Sequence, residues 1–136
     1  MQTFLPLPDI AESAAVLDRQ RLGKQRVEAK QILLVLSGVS KGWRNHPAVR
    51  MWEGYETALA MYGFAVCQEW RSRGYKDTLL PWFEPFTVSG PVVLPGWFGW
   101  SPFHAAHRSA LLAKNPKHYS QFGWTDLPRI AYVWPI

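Results

Sequence analysis

The 136-residue chain is long enough for one domain with a hydrophobic core, and 48% of it is apolar, with no polar low-complexity tract. This composition excludes a disordered chain, and the longest apolar run, ILLVL at 32–36, is far too short to cross a bilayer. The net charge of +5 suits a polyanionic partner.

The start of the chain and its cysteine content indicate the compartment. The stretch MQTFLPLPDIAES has neither the charged start nor the long apolar segment of a signal peptide. Cys67 is the only cysteine, which excludes an intramolecular disulfide and favours a reducing environment. We therefore expect a cytoplasmic protein that is not inserted in a membrane.

The first predicted helix follows an extended N-terminal segment that ends in PLPD. Asp9 and Glu12 form a capping pair at its start, and the helical pattern continues to about Leu36. Gly23 lies inside this helix and weakens it, so a bend is expected there.

The second predicted helix begins at NHP, because Pro47 suits a first turn, and it continues to Arg73 before the C-cap candidate Gly74. Its apolar side chains repeat at helical spacing: Trp52, Tyr55, Leu59, Tyr62, Val66 and Trp70. Cys67 lies in the same apolar helix, which favours a buried thiol over a nucleophile.

The proline- and glycine-rich residues 79–100 predict an ordered loop with at most a short strand. A third helix follows, with Ser101 as its cap, Pro102 in its first turn and Pro116 at its end. The aromatic tail after it is expected to be extended. The sequence therefore predicts an all-α fold, a single compact domain over residues 1–136 with three principal helices, an extended N-terminal segment and long ordered loops.

The strip RLGKQRVEAKQ, residues 21–31, surrounds one carboxylate with four cations on the first helix. Arg21, Lys24, Gln25 and Glu28 share one helical face, which is expected to point outward. One interpretation is a solvated face with ion pairs. The other is a ligand-binding face, in which Glu28 stays ionised beside the cations and suits the stabilisation of a developing positive charge rather than general acid catalysis.

Histidines are the remaining candidates from residue type alone. His104 and His107 lie three residues apart beside Arg108, but a metal would need further ligands that the spacing does not supply. We therefore expect no metal and no cofactor. His46 precedes Pro47, where its ring can cap the second helix.

Three segments together resemble the pyrimidine-dimer DNA glycosylase family, the endonuclease V type of ultraviolet-damage repair enzymes of phages and bacteria. They are RLGKQRVE at 21–28, AVCQEWRSRGYKDT at 65–78 and LLAKNPKHYSQFG at 111–123. The first helix needs about five more residues near its start than the family has, roughly one and a half turns. The order and spacing of the three matches carry the resemblance.

The resemblance implies a monomeric enzyme that binds double-stranded DNA, flips out a base and breaks its glycosidic bond. Glu28 matches the family's catalytic carboxylate. The expected substrate is a pyrimidine dimer or another damaged or modified pyrimidine, with or without abasic-site lyase activity through an amine Schiff base. The residues expected to bind DNA are Arg21, Lys24, Arg26, Lys30, His46, Arg108, Lys117, His118, Tyr119 and Phe122.

The N-terminus departs from the family pattern. Family members expose a threonine α-amine that attacks the sugar, whereas this chain begins Met1-Gln2-Thr3, where Met1 is expected to be retained. The segment FLPLP is too rigid for a free tail, so the Met1 amine can be held near the first helix. The alternative nucleophiles are a lysine such as Lys24 and water. The alternative functions are a glycosylase for a modified base in foreign DNA and a catalytically silent DNA-binding module.

Overall fold

The computed structural model describes residues 1–88 and 91–136, and this part of the chain is helical without any strand. Its α-helices are α1 (Ile10–Val16), α2 (Arg19–Leu36), α3 (Pro47–Arg50), α4 (Glu56–Ser72), α5 (Leu80–Phe83), α6 (Ser101–Lys114) and α7 (Pro116–Tyr119). Two 3₁₀ turns cover Glu84–Thr87 and Ser120–Phe122. The predicted all-α class is confirmed, and the three long helices α2, α4 and α6 correspond to the three predicted ones.

The first predicted helix is two helices, α1 and α2. Asp9 caps α1 by accepting the Glu12 N–H at 2.8 Å, as predicted. The break falls at Leu17, which is extended, and not at Gly23. α2 continues through Gly23, and the glycine makes room for a neighbour, because a Cβ there would lie 3.0 Å from the Trp70 ring.

The second predicted helix is also interrupted. His46 accepts the Ala48 N–H at 3.0 Å and caps α3, as its position before Pro47 predicted. Turns then separate α3 from α4, with Gly54 at a φ of 85°. The apolar repeat did not reveal this break because side chains on both sides of it are buried in one core. α4 packs mainly against α2.

Residues 79–88 form α5 and a 3₁₀ turn, so the predicted short strand is absent from the described residues of this loop, while Ser89 and Gly90 lie outside the description. Ser101 is the first residue of α6 rather than its cap, a position that Trp100 holds without a side-chain hydrogen bond. The tail from Gly123 onward has no helix, as expected. No helix in the described ranges is long and apolar enough to cross a membrane.

The N-terminal segment, residues 1–5, lies in the core although no strand pairs with it. Two histidines of α6 satisfy the backbone of Leu5: its N–H donates to His107 Nδ1 at 2.9 Å, and its carbonyl oxygen lies 2.7 Å from His104 Nδ1. The Gly99 N–H donates to His104 Nε2 at 2.8 Å, so the proton of that ring is on Nδ1. Burial lowers the pKa of His104, and it lowers the pKa of His107 to about 3, so both rings are neutral.

Candidate active site

One cavity of about 330 Å³ contains both the start of the chain and the carboxylate of the basic strip. It lies where the N-terminal segment crosses α2. The residues that line it are Met1, Gln2, Phe4, Gln20, Arg21, Lys24, Gln25, Glu28, Lys114 and Tyr132. The fold therefore brings together the two groups predicted to be catalytic, Met1 and Glu28.

Glu28 is recessed in the wall of this cavity, with 11% of its side chain exposed. Gln25 Nε2 donates to its Oε2 at 2.8 Å, and the Lys24 ammonium lies 3.8 Å from its Oε1. Lys24 is 73% exposed, so this pair is too solvated to hold the carboxylate firmly. The sequence predicted an outward-pointing acid; the structure instead shows one carboxylate oxygen bonded to an amide and the other beside an exposed cation.

Met1 is half-buried, and residues 2–5 behind it are buried. Gln25 binds the backbone of this segment on both sides, donating to the Gln2 carbonyl at 2.9 Å and accepting the Phe4 N–H at 2.8 Å. Trp52 donates to the Thr3 hydroxyl at 3.0 Å. The segment is therefore fixed against α2 and the turns between α3 and α4, and Met1 lines the cavity.

His46 lies within electrostatic reach of both groups. Its pKa is lowered, first by burial and then by the positive charge of the Met1 amine, while the negative charge of Glu28 acts in the opposite direction. The ring packs edge-on against Trp43 and Trp134, each at a centroid distance of 5.8 Å. A neutral His46 caps α3 and keeps an aromatic wall beside the amine.

The predicted cations divide into two groups. Arg21 and Lys24 line the cavity, where Arg21 pairs with Asp18 at 3.0 Å. The Lys30 ammonium lies 5.0 Å from the Trp82 ring centre, outside the cavity lining. Lys114, from the far end of α6, also lines the cavity and was not expected. Three cations, Arg21, Lys24 and Lys114, therefore border the cavity in whose wall the Glu28 carboxylate lies.

Arg26 lies on another side of α2. Its guanidinium pairs with the buried carboxylate of Asp77 and lies 4.7 Å from the Trp70 ring centre. Asp77 also accepts from Arg71 at 3.2 Å and from the Leu80 N–H at 2.9 Å. Burial alone would raise the pKa of Asp77, but these donors outweigh it and lower the pKa. Arg26, predicted to bind phosphate, is held in this ion pair with little freedom to reach a DNA backbone.

The third matching segment packs on the protein itself. Tyr119 is fully buried, and its hydroxyl bonds to the Asp18 carboxylate and accepts the Asp18 N–H at 2.9 Å. His118 Nε2 lies 2.9 Å from the Val16 carbonyl oxygen. A ring without exposed surface offers no face to a base, so the predicted lesion contact of Tyr119 is replaced by a structural role at the α1–α2 break. Phe122 is half-buried against Trp124.

The last two predicted cations differ in exposure. Arg108 pairs with Asp126 at 2.7 Å and donates to the Pro6 carbonyl at 2.9 Å, so it anchors the chain after the N-terminal segment. Lys117 on α7 is exposed. Cys67 is buried, and burial together with Asp77 raises its pKa to about 12, as expected for a structural thiol. Within the described ranges, no group of three or more His, Cys, Asp or Glu side chains could hold a metal ion.

Six residues of this cavity were not predicted as site residues from the sequence: Gln2, Phe4, Gln20, Gln25, Lys114 and Tyr132. Gln25 had a detectable signal, because it shares a helical face with Glu28 one turn away. Lys114 and Tyr132 reach the cavity through tertiary packing, and nothing in their local sequence indicates it.

The helical fold of the described residues places a recessed carboxylate and Met1 in one basic cavity. This arrangement defines a class of protein that binds an anionic ligand through its cations and stabilises a developing positive charge through its carboxylate. A family model described as pyrimidine dimer DNA glycosylase matches residues 1–80, more than half of the chain. The chain belongs to this family. The match covers the N-terminal segment, Glu28 and Asp77. No curated protein and no solved structure shows a significant match.

Proposed function

We propose that this protein excises pyrimidine dimers or other damaged pyrimidines from duplex DNA, with Glu28 as the catalytic carboxylate and the Met1 α-amine as the nucleophile. The observation that carries the proposal is that Met1 and Glu28 line the same cavity. Membership of a DNA glycosylase family supports the reaction class, and the cations around the cavity support a DNA ligand.

The chemistry follows from the charges at the cavity. When the bond between the sugar C1′ and the base breaks, the electron pair leaves with the base, and positive charge develops on the sugar. Glu28, with one oxygen free of the Gln25 amide, stabilises that charge. The unprotonated Met1 amine then forms a bond to C1′; loss of its proton and opening of the sugar ring give a Schiff base. Elimination from this adduct would cut the strand and supply the lyase activity.

Recognition of the duplex is assigned to the cations at and around the cavity. Arg21, Lys24 and Lys114 border the cavity, and Lys30 and Lys117 extend the positive surface. These side chains would contact phosphates and carry no sequence preference of their own. His46, whose pKa responds to the charges of the Met1 amine and of Glu28, is assigned to the surroundings of the site. Arg108, His118 and Phe122 would act through the packing that holds the N-terminal segment and the α1–α2 break in place.

The test is base release from ultraviolet-irradiated duplex DNA, measured after photoreversal because a dimer with one cut glycosidic bond stays attached to the strand through its second pyrimidine. Borohydride trapping on a duplex with one abasic site follows. We expect released base and a covalent protein–DNA adduct that peptide mapping places on residue 1. Acetylation of the N-terminus should remove the adduct. An adduct on Lys24 would move the nucleophile to that side chain, and base release without an adduct would make water the nucleophile. Salt-dependent DNA binding without base release would contradict the proposed activity.

A further inference from the structure

Gln25 lies one turn before Glu28 on α2 and is 1% exposed. Its Nε2 donates to the Gln2 carbonyl at 2.9 Å and to Glu28 Oε2 at 2.8 Å. Its Oε1 accepts the Phe4 N–H at 2.8 Å and lies 2.6 Å from the Tyr62 hydroxyl. A carboxamide has two hydrogens and two acceptor sites, so every hydrogen-bonding position of Gln25 is filled.

The orientation of this amide is fixed by the chemistry of its partners. The Phe4 N–H can only donate, so Oε1 must face it. The Gln2 carbonyl and an ionised Glu28 carboxylate can only accept, so Nε2 must face both. Rotating the amide by half a turn would place donor against donor and acceptor against acceptor inside the core. The loss in the free energy of unfolding would be far larger than the net contribution of the hydrogen bonds to it.

Tyr62 supports the same arrangement from α4. It is fully buried, and burial raises its pKa well above the usual range, so the hydroxyl keeps its proton. That proton is shared between Gln25 Oε1 and the Phe4 carbonyl oxygen, which lies 2.8 Å away. The amide is therefore held from the side opposite Glu28.

We infer that Gln25 is a positioning residue that fixes the Glu28 carboxylate and the amine-bearing N-terminal segment to each other, an inference that rests on the proposed function. The hydrogen bonds of the Gln25 side-chain amide hold both Glu28 Oε2 and the backbone of residues 2 and 4. Oε1 of Glu28 is left for the sugar. The carboxylate and the amine consequently keep the same distance and orientation to each other when DNA binds. Binding then needs no separate conformational change to bring the two reacting groups together.

The substitution Gln25→Glu separates positioning from space filling. The new side chain has the same shape and keeps an oxygen for the Phe4 N–H and Tyr62, but it sets a second oxygen against the Gln2 carbonyl and Glu28. Two carboxyl groups at this distance cannot both ionise, so the pair holds one shared proton. Base release needs an ionised Glu28, and the acid limb of its pH–rate profile should therefore move to higher pH by about one unit or more.

The experiment measures single-turnover base release from irradiated duplex between pH 5 and pH 9. Gln31→Glu is the matched control, because it adds the same charge to an exposed position of the same helix, outside the cavity lining. We expect a shifted acid limb for Gln25→Glu, and therefore roughly tenfold slower release at pH values on that limb, and neither change for Gln31→Glu. An acid limb that stays in place in Gln25→Glu would overturn the inference. A wild-type protein that releases no base would instead overturn the proposed function.

A second variant keeps the test decisive if circular dichroism shows Gln25→Glu to be unfolded. Tyr62→Phe fills the same space and removes only the hydroxyl behind the amide. We expect its adduct with an abasic-site duplex to form several-fold more slowly at saturating DNA, with unchanged DNA affinity. Adduct formation at the wild-type rate would overturn the inference.

Discussion

Glu28 lies on α2 and Asp77 pairs with Arg26 of the same helix, and both carboxylates are recessed. They differ in the number of hydrogen-bond donors that the protein supplies to them. Asp77 accepts from Arg26 and Arg71 and from backbone N–H groups, and its side chain has no exposed surface. Glu28 has one amide donor on Oε2, and its Oε1 lies 3.8 Å from an exposed lysine at the edge of a cavity.

Burial alone therefore does not mark a functional acid in this protein. A carboxylate has about four acceptor sites, and those of Asp77 are used within the protein. Glu28 keeps acceptor sites unused on the side that faces the cavity. The saturated carboxylate stabilises the fold, and the unsaturated one is available to a substrate.

The largest effect is expected from removing the charge of Glu28. Glu28→Gln keeps an oxygen for the Gln25 amide, so the free energy of unfolding should change by less than about 1 kcal/mol. Base release should fall by about 10²–10³-fold, because the charge on the sugar is no longer balanced. Single-turnover kinetics and affinity for damaged duplex check this, with the exposed Glu12→Gln as the control. Base release at the control rate would exclude a catalytic role for Glu28.

Asp77→Asn should lower the stability of the fold more than Glu28→Gln does, and it should lower the rate of base release less. It leaves Arg26 and Arg71 without their shared anion, and we expect a loss of roughly 3 kcal/mol in the free energy of unfolding. Urea denaturation measures it. Glu69→Gln is the matched control, since its ion pair with Arg73 is partly solvated and should contribute under about 1 kcal/mol. Equal losses in the two variants would remove the distinction between a saturated and an ordinary carboxylate.

Acid should loosen the segment that carries the amine, through the two histidines that hold Leu5. His104 and His107 have lowered pKa values, so the unfolded chain binds more protons below about pH 6.5, the ordinary value for histidine. Stability is therefore complete above that pH and falls as the pH drops towards about 3, the pKa of His107. The slope is at most about 1.4 kcal/mol per pH unit for each histidine.

Denaturation of His107→Gln between pH 7 and pH 4.5 checks this dependence. The glutamine can still accept the Leu5 N–H but takes up no proton, so the slope should fall by one histidine's share. A variant with the wild-type slope would show that His107 does not carry the effect. Asp18 and Asp77, whose pKa values lie below the ordinary 3.8, lose their contribution only at lower pH.

The smallest effect concerns the salt dependence of DNA binding. Lys24 is 73% exposed at the cavity, so Lys24→Ala should reduce the slope of log affinity against log salt by about one unit. Arg26→Ala should change that slope less and lower stability instead, because its charge is already paired with Asp77. Binding titrations at several salt concentrations distinguish the two. A larger slope change for Arg26→Ala would place that guanidinium on the DNA.

The sequence predicted what depends on local periodicity and capping. The long helices and the cap at Asp9 were available from spacing. The break at Leu17 was not, because it is stabilised by Tyr119, 101 residues from Asp18 in the chain. The role of Gly23 depends on the Trp70 ring in the same way.

The candidate site shows the same limit. Glu28 could be singled out because its charge differs from that of its neighbours. The rigid FLPLP segment indicated that Met1 is held near the first helix, and the shared cavity agrees with that expectation. The Gln25 network could not be predicted, since it joins residues 2, 4, 28 and 62, whose proximity exists only after α2 and α4 have packed.

The docking of the N-terminal segment on α6 has a consequence for biosynthesis. Leu5 is held by His104 and His107, residues made about a hundred positions later. Closing so long a loop is slow compared with forming a local helix. A nascent chain that has folded α2 and α4 can hold residues 2–4 through Gln25, Trp52 and Tyr62, but it still lacks the two hydrogen bonds that anchor Leu5. The cavity is complete only after α6 has left the ribosome, because α6 supplies Lys114 and the two histidines, so a chain truncated before it would keep much of its helix content with an incomplete site.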